Sequence, residues 1–194
     1  MFIFSLGVLF FAGPFLNTAF SASTYTIDPV HSTIGFAVKH LMVSTVRGEF
    51  KEYTGQIQFD PQNLNAFRAN LVIEVQSIDT NNQKRDDHLR SSDFFDAPNH
   101  PQIIFAGKGI VSQNGGYEIL GDLTIRGVTK KIRIPATIAG PVEGPAGSKV
   151  IGISAETAIN RQDFGVSWNK ALDQGGWVVD NDVRLIIDIE AHAE

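Results

Sequence analysis

The sequence predicts an all-β domain, either a closed antiparallel barrel or a β-sandwich, with one short helical insertion. Apolar residues recur at every second position along most of the chain, and turn-forming residues separate these runs. One polar segment, residues 77–101, lacks the alternation. Alternation with a single apolar face is typical of antiparallel sheet, which keeps one face in a core and the other in water. Closure into a barrel would remove the exposed edges of such a sheet.

The first 27 residues contain no charged side chain and include an apolar run from Phe2 to Phe15. This run is shorter than the roughly 20 residues that a membrane-spanning helix needs. Ala19 and Ser21 are the small residues expected before a signal-peptidase cut. We therefore expect residues 1–21 to be a signal peptide, residues 22–194 to be the mature domain, and the protein to be periplasmic. An uncleaved anchor is the alternative, because no Lys or Arg precedes the apolar run.

The composition excludes several classes of protein. The chain has no cysteine, which rules out a disulfide scaffold and a thiolate metal site. Its 21 acidic and 16 basic residues give a net charge of −5, which argues against a nucleic-acid surface. Of the 14 phenylalanines, those of the predicted mature domain stand at positions 36, 50, 59, 67, 94, 95, 105 and 164.

The alternating stretches predict the individual strands. They span residues 34–38, 55–59, 71–75, 117–125, 128–136 and 183–191. Asn114-Gly115-Gly116 and Arg126-Gly127 flank the fourth stretch and predict tight hairpin turns, because Asn and Gly tolerate positive φ. The residues at 140–147 are rich in Gly and Pro, and they predict a loop.

The polar segment predicts the helical insertion. Asp79 or Thr80 is a suitable N-cap for a short helix that runs to about Ser91. A second turn is predicted over residues 92–95, and Pro98 would end it.

The predicted mature chain resembles the YceI-like family of secreted lipocalin-like proteins along essentially its whole length. The motifs that carry the resemblance are Thr26-Ile27-Asp28-Pro29-Val30-His31-Ser32, Phe36-Ala37-Val38-Lys39-His40-Leu41, Val46-Arg47-Gly48-Glu49-Phe50, Ser77-Ile78-Asp79-Thr80, Arg85-Asp86-Asp87-His88-Leu89-Arg90-Ser91, Asp93-Phe94-Phe95-Asp96, Pro101-Gln102-Ile103-Ile104-Phe105, Gly121-Asp122-Leu123-Thr124-Ile125-Arg126-Gly127-Val128-Thr129-Lys130 and Asn160-Arg161-Gln162-Asp163-Phe164-Gly165-Val166. Two departures are Tyr25, where the family often has Trp, and His100, where an aromatic residue is usual.

The resemblance implies an extended eight-stranded antiparallel lipocalin-like barrel around an apolar tunnel. The implied ligand is a polyisoprenoid or similar long-chain lipid, such as the tail of an isoprenoid quinone. The implied protein is not an enzyme, has no required cofactor, and carries or sequesters that lipid.

We expect the tunnel wall to be formed by apolar strand residues and by the aromatic residues of the insertion. The candidate ligand-binding residues are Phe36, Val38, Phe50, Ile57, Phe59, Phe94, Phe95, Phe105, Phe164 and Trp168. Any one of them could instead fill the core, since period two identifies residues that share a face but not which face points inward.

The polar residues predict neither a catalytic nor a metal site. His31 and His40 are nine residues apart in one predicted strand, which places them on opposite faces. The sequence also lacks a Gly-x-Ser-x-Gly motif. Arg85 and Arg161 are expected to form internal salt bridges or to cap backbone groups, and contact with a lipid head group is the alternative.

Other functions and partners stay open at the level of sequence. One alternative is an enzyme that acts on a lipid-like substrate within the barrel, with His31 as a candidate residue. Another is a metal- or cofactor-binding accessory to a respiratory membrane protein. Transient contact with a membrane and a homodimer that covers the tunnel mouth are further open partners, whereas nucleic acid is not expected.

Overall fold

The computed structural model describes residues 22–144, 147–173 and 175–193. The predicted signal peptide lies outside these ranges and remains a prediction. Within them the strands are β1 (Ser23–His40), β2 (Ser44–Phe50), β3 (Tyr53–Phe59), β4 (Arg68–Glu74), β5 (Ile78–Asp79), β6 (Gln102–Gln113), β7 (Gly116–Ile125), β8 (Val128–Glu143), β9 (Lys149–Asn160) and β10 (Val179–Ala193), and the helix α1 is Gln83–Arg90. None of the helices in these ranges combines the length and the apolar composition needed to cross a bilayer.

The strands close into an eight-stranded antiparallel barrel, so the barrel prediction is confirmed and the sandwich alternative is wrong. The ring runs β1-β3-β4-β6-β7-β8-β9-β10, and β10 pairs with β1 to close it. The first residues of β1 pair with β3, whereas its second half pairs with β2. β5 extends the sheet beyond β2.

The predicted hairpin turns are confirmed by backbone geometry. Asn114 and Gly115 have φ of 50° and 80°, and Arg126 and Gly127 have φ of 48° and 73°. Two successive residues with positive φ match the twist of the flanking strands. These turns set the registers of β6 on β7 and of β7 on β8.

Two element boundaries differ from the predictions. The helix is capped by Asn82, whose side chain accepts a hydrogen bond from the backbone N–H of Arg85 at 3.0 Å. Asp79 instead accepts from the N–H of Asn81 and stabilises the turn before the helix. The predicted loop over residues 140–147 is wrong in its first half, because β8 continues to Glu143 after a register shift.

β1 contains a bulge that a strict period of two does not predict. Asp28 pairs with Glu190, but the next paired position is Thr33 with Asp188. The hydroxyl of Ser32, within the bulge, donates to the carbonyl of Glu190 at 3.2 Å and accepts from its N–H at 3.0 Å. The side chain thereby replaces ladder hydrogen bonds that the bulge removes.

One end of the barrel is covered by α1, by the turn over residues 92–95 and by a 3₁₀ turn, Arg161–Phe164. Arg126, in the β7–β8 hairpin, joins the last two of these segments. Its guanidinium donates to the carbonyls of Phe94 at 2.8 Å, Gly165 at 2.9 Å and Ser92 at 2.8 Å. The cover is therefore fixed to the barrel by charge-assisted hydrogen bonds.

Candidate functional site: a row of apolar cavities

The barrel interior contains a cavity of about 110 Å³, called here the inner cavity. Inward side chains from most strands of the ring line it, among them Ile57, Phe105, Ala155, Leu185 and Ile187. Alternation along each strand places these residues on the inner face, which is why the wall is almost entirely aliphatic and aromatic.

Two further cavities lie toward the covered end. The middle cavity, about 100 Å³, is lined by the ends of β1, β7, β9 and β10 together with Phe94, Phe95 and Phe164 of the cover. The mouth cavity, about 360 Å³, lies between α1 and the end of β1 and reaches the exposed side chains of Lys39 and Lys84.

The three cavities form a continuous row, because neighbouring cavities share wall residues. Phe36 lines all three. Phe50 and Leu185 stand between the inner and middle cavities, and Val38 and Phe94 stand between the middle and mouth cavities. Side chains that line two cavities therefore separate them, and a change of rotamer in several of these side chains would join the cavities into one tunnel.

Glycine opposite Phe36 makes room for its ring. Gly48 of β2 pairs directly with Phe36, and a Cβ at Gly48 would come within 2.5 Å of the Phe36 ring. The ring of Phe36 lies 6.0 Å from that of Phe50, which in turn lies 6.1 Å from Phe95 in an edge-to-face arrangement. Aromatic rings in this geometry form a continuous apolar wall at the centre of the row.

The structure brings most of the predicted ligand-binding residues to these cavities. The inner cavity contacts Phe36, Phe50, Ile57 and Phe105; the middle cavity contacts Phe36, Val38, Phe50, Phe94, Phe95 and Phe164; the mouth cavity contacts Phe36, Val38, Phe94 and Trp168. Phe59 is not among the wall residues of these cavities. It is 2% exposed and packs edge-to-face on Tyr117 at 6.1 Å, near the opposite end of the barrel. Whether the wall residues bind a ligand remains a prediction.

The predicted wall residues did not include most of the aliphatic side chains that line the inner cavity. Ala155, Ile187 and Ile189 line the inner cavity. The alternation over residues 183–191 already placed Ile187 and Ile189 on one face of the last strand. Their inward orientation became clear only from the closure of β10 on β1.

The mouth cavity combines apolar and basic groups. The ring of His88 lies 5.0 Å from those of Phe94 and Trp168, edge-to-face in both cases. Its Nε2 lies 2.9 Å from Oδ2 of Asp93. Lys39 and Lys84 add positive charge at the rim of the mouth cavity. The mouth cavity is therefore better suited to a polar or anionic group of a ligand than to an apolar one.

Arg161 reaches the middle cavity, but its donors are engaged by the protein. Its guanidinium donates to the carbonyls of Asp180 at 2.8 Å, Val166 at 2.6 Å and Trp168 at 2.8 Å, and Asn181 Oδ1 lies 3.4 Å away. Burial lowers the pKa of this guanidinium, and the charge of Asp180 partly offsets the effect. The contacts agree with the expected role as a backbone cap.

Arg85 is likewise held by the protein. Its Nε donates to Thr80 Oγ1 and its Nη2 to the Thr80 carbonyl, both at 2.7 Å. The buried carboxylate of Asp86 accepts from the N–H and the hydroxyl of Thr80. Both charged groups therefore fix the start of α1 to the segment after β5.

Comparison with known proteins places the chain in a family. The sequence model of the YceI-like domain matches residues 25–191. A UPF0312 protein of Staphylococcus epidermidis is 38% identical over 171 residues, 88% of this chain and 95% of the relative. The crystal structure of Burkholderia cenocepacia BcnA superposes with a TM-score of 0.75 at 25% identity, over 84% of this chain and 98% of that one.

A third protein shares the fold at low identity. It is described as a polyisoprenoid binding domain from Saccharophagus degradans implicated in plant cell wall breakdown, and it matches with a TM-score of 0.64 at 15% identity over 88% of this chain and 98% of its own. The match of the domain model over most of the chain, and the close relative, decide the assignment. The chain belongs to the YceI-like family.

Proposed function

We propose that the protein is a non-enzymatic carrier or sequestering protein for a polyisoprenoid or similar long-chain lipid, with the tail of an isoprenoid quinone as the favoured ligand. The observation that carries the proposal is the row of three cavities from the mouth to the barrel interior, of which the inner and middle cavities are apolar and the mouth has a basic rim. The Saccharophagus degradans domain, described as polyisoprenoid-binding, has the same fold and supports it.

Burial of the lipid tail supplies the binding energy. Each Å² of apolar surface removed from water contributes about 25 cal/mol, and a long tail exposes several hundred Å². The strands are ordered by the closed ladder, so little protein conformational entropy is lost on binding.

The size of the cavities implies that the partitions move. The inner and middle cavities, at about 110 and 100 Å³, are each smaller than the roughly 300 Å³ at the lower end of small-molecule sites. A tail that occupies both must displace some of the side chains that line both cavities, which are Phe36, Phe50, Ile103, Ile125 and Leu185. Phe36 is half-buried and lines all three cavities, so its rotation opens the longest path.

The mouth gives the ligand a direction. The tail enters the apolar inner and middle cavities, and the polar head stays near Lys39 and Lys84 at the mouth cavity. The guanidinium of Arg161 already donates to three backbone carbonyls. In this proposal it therefore holds the wall of the middle cavity in place and does not bind the lipid head group.

An exposed apolar patch beside the mouth suits contact with a lipid bilayer. It consists of Leu41, Met42 and Val43 in the β1–β2 turn, with Val43 84% exposed, and of Trp177, which is 55% exposed. The two segments touch, because the N–H of Leu41 donates to the Val178 carbonyl at 2.9 Å. Trp prefers the membrane interface, and the nearby lysines favour anionic lipid. We expect the mouth to open toward the membrane that supplies or receives the lipid, the periplasmic face if the predicted signal peptide directs export.

A cavity-filling substitution tests the proposal. Ala155 of β9 points into the inner cavity, and Ala155→Phe should occupy much of it. We expect affinity for an isoprenoid quinone to fall at least about tenfold, because excluding roughly 60 Å² of apolar tail forfeits about 1.5 kcal/mol. Ligand-induced quenching of tryptophan fluorescence measures it.

Ala158→Phe is the matched control, since Ala158 lies on the exposed face of the same strand. Its quinone affinity should equal that of the parent protein. Equal affinity in both variants, with both folded, would contradict occupation of the inner cavity.

The alternative of an enzyme that uses His31 gains no support. His31 lies on the outer surface in the β1 bulge, with its side chain 62% exposed. It is not among the wall residues of the three cavities.

A further inference from the structure

Two histidines and two carboxylates meet on the outer surface of the barrel, at the seam between β1 and β10. Nδ1 of His31 lies 2.7 Å from Oδ2 of Asp28 and 3.8 Å from Oε1 of Glu190. Nε2 of His192 lies 3.0 Å from the same Glu190 oxygen and 3.6 Å from the same Asp28 oxygen. Each carboxylate oxygen is thus within 4 Å of both imidazoles.

The β1 bulge creates this cluster. In a regular strand Asp28 and His31 would point to opposite faces, because they are three positions apart. The bulge between Asp28 and Thr33 turns both side chains toward Glu190 on β10. Glu190 and His192 are two residues apart on β10 and share its outer face.

The spacing of the ligand atoms of Asp28, His31 and Glu190 fits a small cation. Neighbouring ligands of a tetrahedral ion lie about 3.3 Å apart when each metal–ligand bond is about 2.0–2.1 Å long. Nδ1 of His31 lies 2.7 Å from Oδ2 of Asp28 and 3.8 Å from Oε1 of Glu190, on both sides of that value. Asp28, His31 and Glu190 each offer a ligand atom within 4.8 Å of the others.

The ligands are oriented by neighbouring groups. Oδ1 of Asp28 accepts a hydrogen bond from the Val30 N–H at 2.8 Å, which leaves Oδ2 to face the histidines. The hydroxyl of Ser32 fixes the backbone of Glu190, because it donates to the Glu190 carbonyl and accepts from the Glu190 N–H. The hydroxyl of Tyr53, a buried residue, donates to the Ser32 carbonyl at 2.7 Å and holds the bulge from the other side. Such outer contacts are characteristic of built metal sites.

We propose that Asp28, His31 and Glu190 bind one divalent transition-metal ion, with zinc as the best fit, and that His192, whose Nε2 lies 3.0 Å from Oε1 of Glu190, turns in as the fourth ligand. Imidazole nitrogen with carboxylate oxygen suits zinc among the common biological cations, and zinc accepts irregular tetrahedral geometry. Because β1 and β10 are the strands that close the ring, the ion would cross-link the seam of the barrel. The site lies outside the cavities and does not depend on the proposed lipid.

Calorimetric titration of the chelator-stripped full chain with zinc chloride tests the site. We expect one ion per chain for the parent protein, and affinity reduced at least about 100-fold in Glu190→Gln and His192→Gln, since each removes a ligand. Zinc should also raise the melting temperature of the parent protein but not of these variants.

Asp182→Asn is the matched control, because Asp182 is an exposed carboxylate earlier on β10. It removes the same charge and should leave zinc affinity unchanged. Circular dichroism establishes that each variant is folded. The absence of stoichiometric zinc uptake by the parent protein, or equal weakening in Asp182→Asn and Glu190→Gln, would overturn the proposal.

Discussion

Arg161 shows how a buried charge stabilises the covered end of the barrel. It is 5% exposed, and its three carbonyl partners belong to two segments, the stretch over residues 166–168 and the start of β10. The sequence predicted that such an arginine caps backbone groups, but it could not identify the carbonyls, since these lie up to 19 residues away.

Arg161→Lys should destabilise the fold strongly. Lysine cannot reproduce the forked set of hydrogen bonds, so buried carbonyls lose their donors at a cost on the order of 3 kcal/mol. Urea unfolding measures the free energy. Arg184→Lys is the control: Arg184 forms an exposed pair with Glu156 at 3.2 Å, where we expect a loss below about 0.5 kcal/mol. Unchanged stability of Arg161→Lys together with lost lipid binding would instead favour a head-group role.

Tyr53 gives a prediction on pH dependence. Burial raises the pKa of this phenol above its ordinary 10.0, and the charges of Glu49 and Asp28 add to the effect. The neutral form is therefore favoured in the folded state. The stability that this preference contributes is present in full below the pKa of Tyr53 in the unfolded chain. It is lost as pH rises through the pKa of Tyr53 in the folded chain.

The stability difference between the parent protein and Tyr53→Phe should accordingly shrink as pH rises above about 10. Urea unfolding at a series of pH values from about 9 to 11 measures it. Parallel stability curves over this range would show that Tyr53 ionises no differently in the folded and unfolded chains.

At the scale of the elements, sequence periodicity predicted the strands better than their interruptions. The stretches over residues 117–125 and 128–136 correspond to β7 and the first part of β8. The bulge in β1 was missed because its hydrogen bonds come from β10, more than 150 residues away in sequence. The same separation hid the cluster of Asp28, His31, Glu190 and His192.

The exposed apolar residues of the β1–β2 turn should bind lipid bilayers. Val43→Glu should weaken binding to vesicles of anionic phospholipid about tenfold, because a buried Val side chain contributes at least about 1.5 kcal/mol. Co-sedimentation with the vesicles measures it. Val30→Glu is the control, since Val30 is 81% exposed but lies in the β1 bulge, away from the mouth.

Two results would contradict the role of the turn. One is equal vesicle binding by Val43→Glu and Val30→Glu. The other is a dimer of the parent protein, seen by light scattering, that Val43→Glu converts to monomer, since the patch would then be a subunit interface.

At the scale of the whole molecule, family resemblance and alternation together predicted a closed barrel, and the pairing of β10 with β1 confirms it. Most of the predicted wall residues reach the row of cavities. Phe59 does not, because it pairs beside Ser23 at the far end of β3 and packs on Tyr117. Position along the barrel axis depends on strand register, which periodicity alone does not contain.

The central claim is that the row of cavities holds a long-chain lipid. Native mass spectrometry of the full-length protein, purified without detergent from the cells that make it, tests this most directly. We expect one bound lipid per barrel, which organic extraction should identify as a polyisoprenoid or isoprenoid quinone. Repeated preparations that contain no long-chain lipid, from a protein that also takes up no isoprenoid quinone when it is offered, would contradict it.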